Sequence, residues 1–293
     1  MQTIKEKFDE LYDNKNPTYV FDSELVCVSQ SYIVENKEKL PHLFRYSPAN
    51  YYNIRGVETG KIHLSEIGLM NDIFEGLSGK IDSRVLAETK KLYDLAYIKS
   101  FSECNSDLRM WSSYADNYAG ICVEYDISKL EDKILYHLFP VRYSNTRSVK
   151  NDLHFTFKEL VEMKKAIQDA HLDFNFDFLK DVTSLFLTKS KDWSYEKEWR
   201  IIVSYLQMHC DYQTVEKEND ESITRKLFDI DSQNIDFDCV EAIYLGPKID
   251  PEKEKHLVQI ARSLSKPVYK MKLSQTEYKL EKDLLKYEDY IDI

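Results

Sequence analysis

The chain has 293 residues, 43% of them hydrophobic, with only seven Gly, seven Pro and no low-complexity tract. That length exceeds the roughly 250 residues at which single cores stop growing, so one large domain and a domain with a helical insertion both fit. The formal net charge of −11 works against a large electrostatic footprint on nucleic acid, since such binding is mostly phosphate neutralisation by Lys and Arg, but it leaves room for a local basic cleft.

Residues 1–6 carry no apolar run of the kind a signal peptide needs, and no stretch approaches the ~20 apolar residues of a membrane span. The expectation is a cytoplasmic protein without membrane contact. Cys27, Cys104, Cys122, Cys210 and Cys239 are scattered, which suggests neither a zinc knuckle nor a disulfide framework, and no metal is expected. The 21 Tyr are spread along the chain rather than interleaved with a basic patch.

Residues 1–13 read as a short amphipathic helix within an N-terminal extension of residues 1–40. Patterning begins at Leu43-Phe44-Arg45-Tyr46-Ser47, a strand in which Leu43, Arg45 and Ser47 share a face, ended by Pro48. A helical or turn segment to Thr59 leads to Gly60. Lys61-Ile62-His63-Leu64-Ser65 alternates again, with Ile62 and Leu64 inward and His63 and Ser65 opposite. Asn71 and Asp72 precede an apolar turn, where Asn71 also fits a helix cap. A helix is expected over 84–97 and a strand at Lys99-Ser100-Phe101-Ser102. Leu108, Met110, Trp111, Tyr114, Ala115 and Tyr118 recur at helical spacing until Gly120, and Ile121-Cys122-Val123-Glu124-Tyr125 returns as a strand. Val141-Arg142-Tyr143 is a further strand candidate.

Residues 152–187 read as helical, part of an insertion spanning about 127–187, and His171 within it has no metal-spaced partner. Next comes Trp193-Ser194-Tyr195-Glu196-Lys197-Glu198-Trp199-Arg200, running into Ile201-Ile202-Val203-Ser204-Tyr205. As one strand from Glu196, it turns Trp199, Ile201, Val203 and Tyr205 to a core and Glu196, Glu198, Arg200 and Ser204 the other way. Such a face is either a solvated strand surface or the wall of a cleft. An acidic loop at 216–221, a strand from Cys239 to Leu245, a helix over 252–264, a strand over 267–273 and a mixed-charge helical tail over 276–293 complete the chain. Strands and helices alternate without the βαβ rhythm or Gly-rich loop of a dinucleotide or P-loop fold. The fold class is therefore α+β, with a twisted mixed or antiparallel sheet core in one domain over 41–275.

Several of these stretches, in this order, resemble a bacterial family known as a domain of unknown function, number twenty-nine seventy-one. They are Phe44-Arg45-Tyr46, Gly60-Lys61-Ile62-His63-Leu64-Ser65, Met70-Asn71-Asp72-Ile73-Phe74-Glu75, Met110-Trp111-Ser112-Ser113-Tyr114-Ala115 with Gly120-Ile121-Cys122-Val123-Glu124-Tyr125, Trp193 through Arg200, and Ile243-Tyr244-Leu245-Gly246. Ile73 departs from the family's usual Pro. The chain also resembles ADP-ribosyltransferase-like enzymes of the phage-defence and toxin types, in which an Arg or His, then a Ser, Thr or Tyr, then a Glu lie on successive core strands. Arg45, Ser65 and Glu198 or Glu196 occur here in that order.

That second resemblance implies an ADP-ribosyltransferase-like fold and NAD as substrate. It implies Glu198, Glu196, Arg45 and Ser65 as the catalytic set, and Arg45, His63, Ser65, Asn71, Tyr195 and Arg200 as cofactor-binding residues. Glu198 would stabilise positive charge building on the ribose, Arg45 would take the pyrophosphate or a ribose hydroxyl, and Arg200 would be an ion-pair partner or second phosphate contact. The acceptor, whether protein, nucleic acid, small molecule or, in a glycohydrolase, water, stays open, and so does a partner protein from a defence or toxin locus. Two other classes fit the same residues. In a metal-dependent nuclease, Asp72, Glu75, Glu124, Glu196 and Glu198 would hold Mg²⁺. In a non-catalytic nucleotide- or partner-binding sensor, Glu196, Glu198 and Arg200 would be an internal ion-pair network.

Overall fold

The computed structural model of the chain describes residues 33–66, 70–72, 74, 96–145, 186–204, 216–218, 221–223 and 233–290. The expected helix over 1–13, all but the last two residues of those expected over 84–97 and 152–187, and Ile73, Glu75, His171 and Tyr205 lie outside the described residues.

In chain order the strands are β1 (Leu43–Ser47), β2 (Lys61–His63), β3 (Ser65–Glu66), β4 (Ala96–Ser102), β5 (Ile121–Tyr125), β6 (Leu138–Pro140), β7 (Arg142–Ser144), β8 (Thr188–Ser190), β9 (Glu198–Ser204), β10 (Glu216–Glu218), β11 (Glu221–Ile223), β12 (Asn234–Asp236), β13 (Val240–Leu245), β14 (Val268–Leu273) and β15 (Leu280–Leu284). The α-helices are α1 (Tyr51–Thr59), α2 (Leu108–Tyr114), α3 (Asp132–Leu135) and α4 (Pro251–Ser263). Among the described residues a nine-stranded sheet runs β15-β14-β13-β5-β1-β4-β9-β6, with β3 also on β4. Its pairs are antiparallel except β13 with β14. The fold is α+β with a mixed sheet, as expected.

Alternation along the strands divides the core in two. Leu43, Val123, Tyr125, Trp199, Ile201 and Val203 pack on one face with Ile54 and Val57 of α1 and Leu257, Val258 and Ala261 of α4. Tyr46, Cys122, Ala242 and Tyr244 pack on the other with Met110 and Trp111 of α2. Each large side chain buried this way contributes about 1.5–3 kcal/mol. Cys122 and Cys239 are buried and free.

Local signals set the helix ends. Asn50 caps α1 by accepting from Asn53 N, and Gly60 closes it in the left-handed conformation at φ 62°. Asp250 accepts from Glu252 N and Lys253 N at the start of α4, with Pro251 in the first turn.

Several expectations need correction, among them the acidic loop at 216–221, where β10 pairs antiparallel with β11. The helix at Leu108 ends at Tyr114 rather than near Tyr118, because Asp116, Asn117 and Tyr118 all take positive φ. β7 bears out the strand candidate at Val141-Arg142-Tyr143 to within one residue, and together with β6 it makes the start of the expected helical insertion partly strand. The expected helical tail contains β15, paired antiparallel with β14, followed by a 3-10 turn at Tyr287–Tyr290. β15 is an edge strand whose residues after Leu280 are exposed, so no apolar alternation marks it in the sequence.

Candidate functional site

β1 and β4 are neighbours in the sheet, yet they pair only at Phe44↔Ser102. Continued, that register would set Arg45 against Phe101, Tyr46 against Ser100 and Ser47 against Lys99. Instead, among the described residues, positions 45–47 pair only with β5 and positions 99–101 only with β9. The two strands part, and a cavity of about 440 Å³ opens between them. Its walls are residues 44–48 and 98–102, with Asn53, Ser65, Met70, Asn71, Met110, Tyr114, Lys189, Glu196 and Glu198. The volume lies within the range of about 300–1,000 Å³ that holds small-molecule ligands.

Alternation gives this slot two unlike sides. Arg45, Ser47, Lys99 and Phe101 point to the face covered by α1. Phe44, Tyr46, Ser100 and Ser102 point to the α2 face, along with Glu198 and Arg200, which stand against Ser102 and Ser100 in the β4–β9 register.

The α2 side holds a buried ionic cluster. Lys189 Nζ donates to Glu196 Oε2 at 2.6 Å and to Glu198 Oε2 at 3.3 Å. Arg200 forks onto Glu198, Nε to Oε1 at 2.8 Å and Nη2 to Oε2 at 3.0 Å, and its Nη1 donates to the Phe186 carbonyl. Tyr114 Oη donates to Glu196 Oε1 at 2.5 Å. Burial, reinforced by the charge of Glu198, raises the pKa of Glu196 even with Lys189 alongside. Burial opposes ionisation of Glu198 as well, but Arg200 and then Lys189 outweigh it and hold that carboxyl at about 2.

The single strand expected from Glu196 to Tyr205 is replaced by a 3-10 helix at Lys191–Glu196, a left-handed Lys197 at φ 46°, and β9 from Glu198. The left-handed residue lets Glu196 reach the slot from outside the sheet. Ser102 Oγ secures the turn by donating to the Glu196 carbonyl at 2.6 Å.

The α1 side is cationic. Arg45 Nη2 donates to Asn53 Oδ1 at 2.8 Å, and Asn53 Nδ2 donates to the Pro48 carbonyl at 3.0 Å. Lys99 is only 9% exposed, and among the described residues its ammonium has neither a hydrogen bond nor an ion pair. Burial, with the neighbouring charge of Arg45, pushes its pKa well below the ordinary lysine value. Ser47 Oγ is buried without a hydrogen-bond partner.

Five sequence-derived candidates, Arg45, Ser65, Asn71, Glu196 and Glu198, meet at the slot. Three do not line it. His63 is exposed on β2, opposite Asn234 of β12. Arg200 is fully buried behind Glu198, which makes it the ion-pair partner and not a phosphate contact. Tyr195 lies outside the slot, with the Arg109 guanidinium 3.9 Å above its ring and Trp193 beside it. Trp111 is buried, edge-on to Tyr46, with Nε1 donating to the Asn105 carbonyl. Asp72 is buried and accepts from Phe74 N.

Of the described carboxylates considered for Mg²⁺, Glu124 stands apart from Glu196 and Glu198. Glu124 accepts from Tyr244 Oη at 2.5 Å and lies 2.7 Å from His42 Nδ1. The registers Glu124↔Phe44, Phe44↔Ser102 and Ser102↔Glu198 put three strand spacings, roughly 14 Å, between Glu124 and Glu198. Among the described residues no three His, Cys, Asp or Glu form a metal-holding group, and no helix is long and apolar enough to cross a membrane.

Sequence reasoning passed over Lys99, Lys189 and Tyr114. Lys99 reads as the solvated position of a strand, Lys189 falls just past an apolar helical stripe, and Tyr114 looks like one more core aromatic.

No curated protein and no solved structure matches the chain. Residues 110–201 match the family model described as protein of unknown function (DUF2971), which bears out that resemblance over the stretch carrying α2, β5 and the Glu196, Glu198 and Arg200 cluster.

Proposed function

We propose that the slot binds NAD and breaks its nicotinamide–ribose bond, passing the ADP-ribosyl group to an acceptor or to water. The observation that carries this reading is one ligand-sized opening with two cationic side chains, Arg45 and Lys99, on one side and two carboxylates on the other. Departure of neutral nicotinamide takes the bond electrons with it and leaves positive charge on the ribose. A carboxylate beside the sugar then stabilises the transition state more than the ground state.

Glu198 suits that role, since Arg200 and Lys189 keep it ionised and fixed in position. Glu196, whose pKa is raised, suits accepting the proton of the attacking hydroxyl as the new bond to the ribose forms. Arg45 offers a planar fork to the pyrophosphate, and Ser65 and Asn71 would orient the substrate from the rim. The resemblance to phage-defence and toxin enzymes sets the proposed context, with the acceptor or a regulating partner supplied by such a locus.

One observation favours a second reading. Lys189, Arg200, Glu196 and Glu198 form a connected network with two charges of each sign, as a structural ion-pair cluster would. In that case the slot senses a nucleotide without turning it over.

Release of nicotinamide from NAD by the purified chain, with and without bacterial lysate as acceptor, tests the proposal. Release under either condition supports it, and saturable NAD binding with no release supports the sensor reading.

A further inference from the structure

An ammonium taken out of water normally acquires a carboxylate, because an uncompensated buried charge costs several kcal/mol. Among the described residues, Lys99 departs from that rule. Glu196 and Glu198 line the same opening but sit on the other side of the sheet, where Lys189 and Arg200 already bind them. The charge that bears on Lys99 is that of Arg45, which repels it. Directly across the slot, where the Phe44↔Ser102 register would continue, lies Ser47, whose hydroxyl is buried and also lacks a partner. Three groups able to donate therefore line this side of the opening with no anionic group among them, and Arg45 is held toward the site by Asn53 from the first turn of α1. What completes such a set is an anion with several acceptor oxygens.

We propose that Lys99, Arg45 and Ser47 form a receptor for a phosphate or pyrophosphate group on the α1 side of the slot, with Lys99 as its principal charge. Assigning that group to a dinucleotide rests on the NAD reading above; the receptor itself does not. The arrangement explains why a lysine with no ion-pair partner among the described residues is kept inside the fold: it destabilises the empty protein, and the ligand supplies its counter-charge.

Calorimetric titration of the full chain with inorganic pyrophosphate, and separately with ADP-ribose, tests the receptor. The wild type is expected to bind both, Lys99→Met to bind each at least tenfold more weakly, and Lys99→Arg to keep part of the affinity. Lys248→Met, which removes a charge near the Tyr118 ring, is expected to bind like the wild type. Lys99→Met keeps the apolar stem and loses only the unpaired charge, so without ligand it should melt no lower than the wild type. Wild-type affinity in Lys99→Met overturns the receptor, as does a lower melting temperature, since that reveals a stabilising partner for the ammonium. Nicotinamide release without Lys99-dependent binding overturns the receptor and leaves the NAD reading standing. Lys99-dependent pyrophosphate binding without nicotinamide release supports the receptor while the chemistry fails.

Discussion

Lys189 Nζ stands between the two carboxylates of the slot, 2.6 Å from Glu196 Oε2 and 3.3 Å from Glu198 Oε2, and all three side chains are buried. One ammonium thus keeps two like charges together. Replacing it with Met leaves the carboxylates facing each other with Arg200, among the described residues, as compensation. Lys189→Met should lower the unfolding free energy at pH 7 by about 3 kcal/mol, in the range for breaking a buried pair, as measured by urea denaturation. Adding Glu196→Gln should recover part of that loss, because it removes one of the repelling charges. A change below about 0.5 kcal/mol in the single variant would mean that the cluster does not hold the turn to the sheet.

Stability should fall in two steps as the solution is acidified. His137 is buried and its pKa is depressed from 6.5 to about 4, chiefly by burial. Between those values the unfolded chain binds a proton that the folded chain refuses, so stability present above pH 6.5 is lost as pH falls toward 4, by roughly 3 kcal/mol. Glu198, depressed from 4.5 to about 2, contributes stability present above pH 4.5 that is lost as pH falls toward 2. Urea midpoints at pH 7, 5.5 and 4.5 should decline in the wild type and decline less in His137→Gln. An unchanged slope in the variant would assign the first step elsewhere.

The end of β1 rests on a glycine. A Cβ on Gly120 would lie 2.3 Å from the Ser47 carbonyl and 2.8 Å from that of Ala115. Both are backbone atoms, so relief requires moving β1 against the left-handed turn at residues 116–118. Gly120→Ala should therefore cost about 2 kcal/mol in urea unfolding, as overpacking does. Wild-type stability in this variant would contradict the close approach.

The parts of the fold that are legible in the sequence are short apolar runs bounded by turn residues and helices with an apolar stripe. β5 and β13 are such runs, buried on both faces, β1 is ended by Pro48, and α1 and α4 carry a cap and an apolar stripe. Glu196 and Glu198 were legible as a pair, but their convergence depends on a left-handed Lys197 that no local pattern announces. β15 was read as helix because an exposed edge strand needs no alternation. Lys99 was invisible as a site residue for a different reason. Its meaning lies in the parting of β1 from β4, a relation between segments more than fifty residues apart, and a lysine on a strand carries no mark of the counter-charge it lacks.

The central claim is that the carboxylate at the start of β9 acts on the sugar of NAD. Glu198→Gln keeps the side chain's shape and removes its charge, so nicotinamide release should be compared between this variant and the wild type, with urea midpoints taken on the same preparations. The account predicts release by the wild type and at least a hundredfold slower release by a folded Glu198→Gln, on the order of the 3 kcal/mol or more that one preorganised charge supplies. Equal release by the two proteins would contradict it.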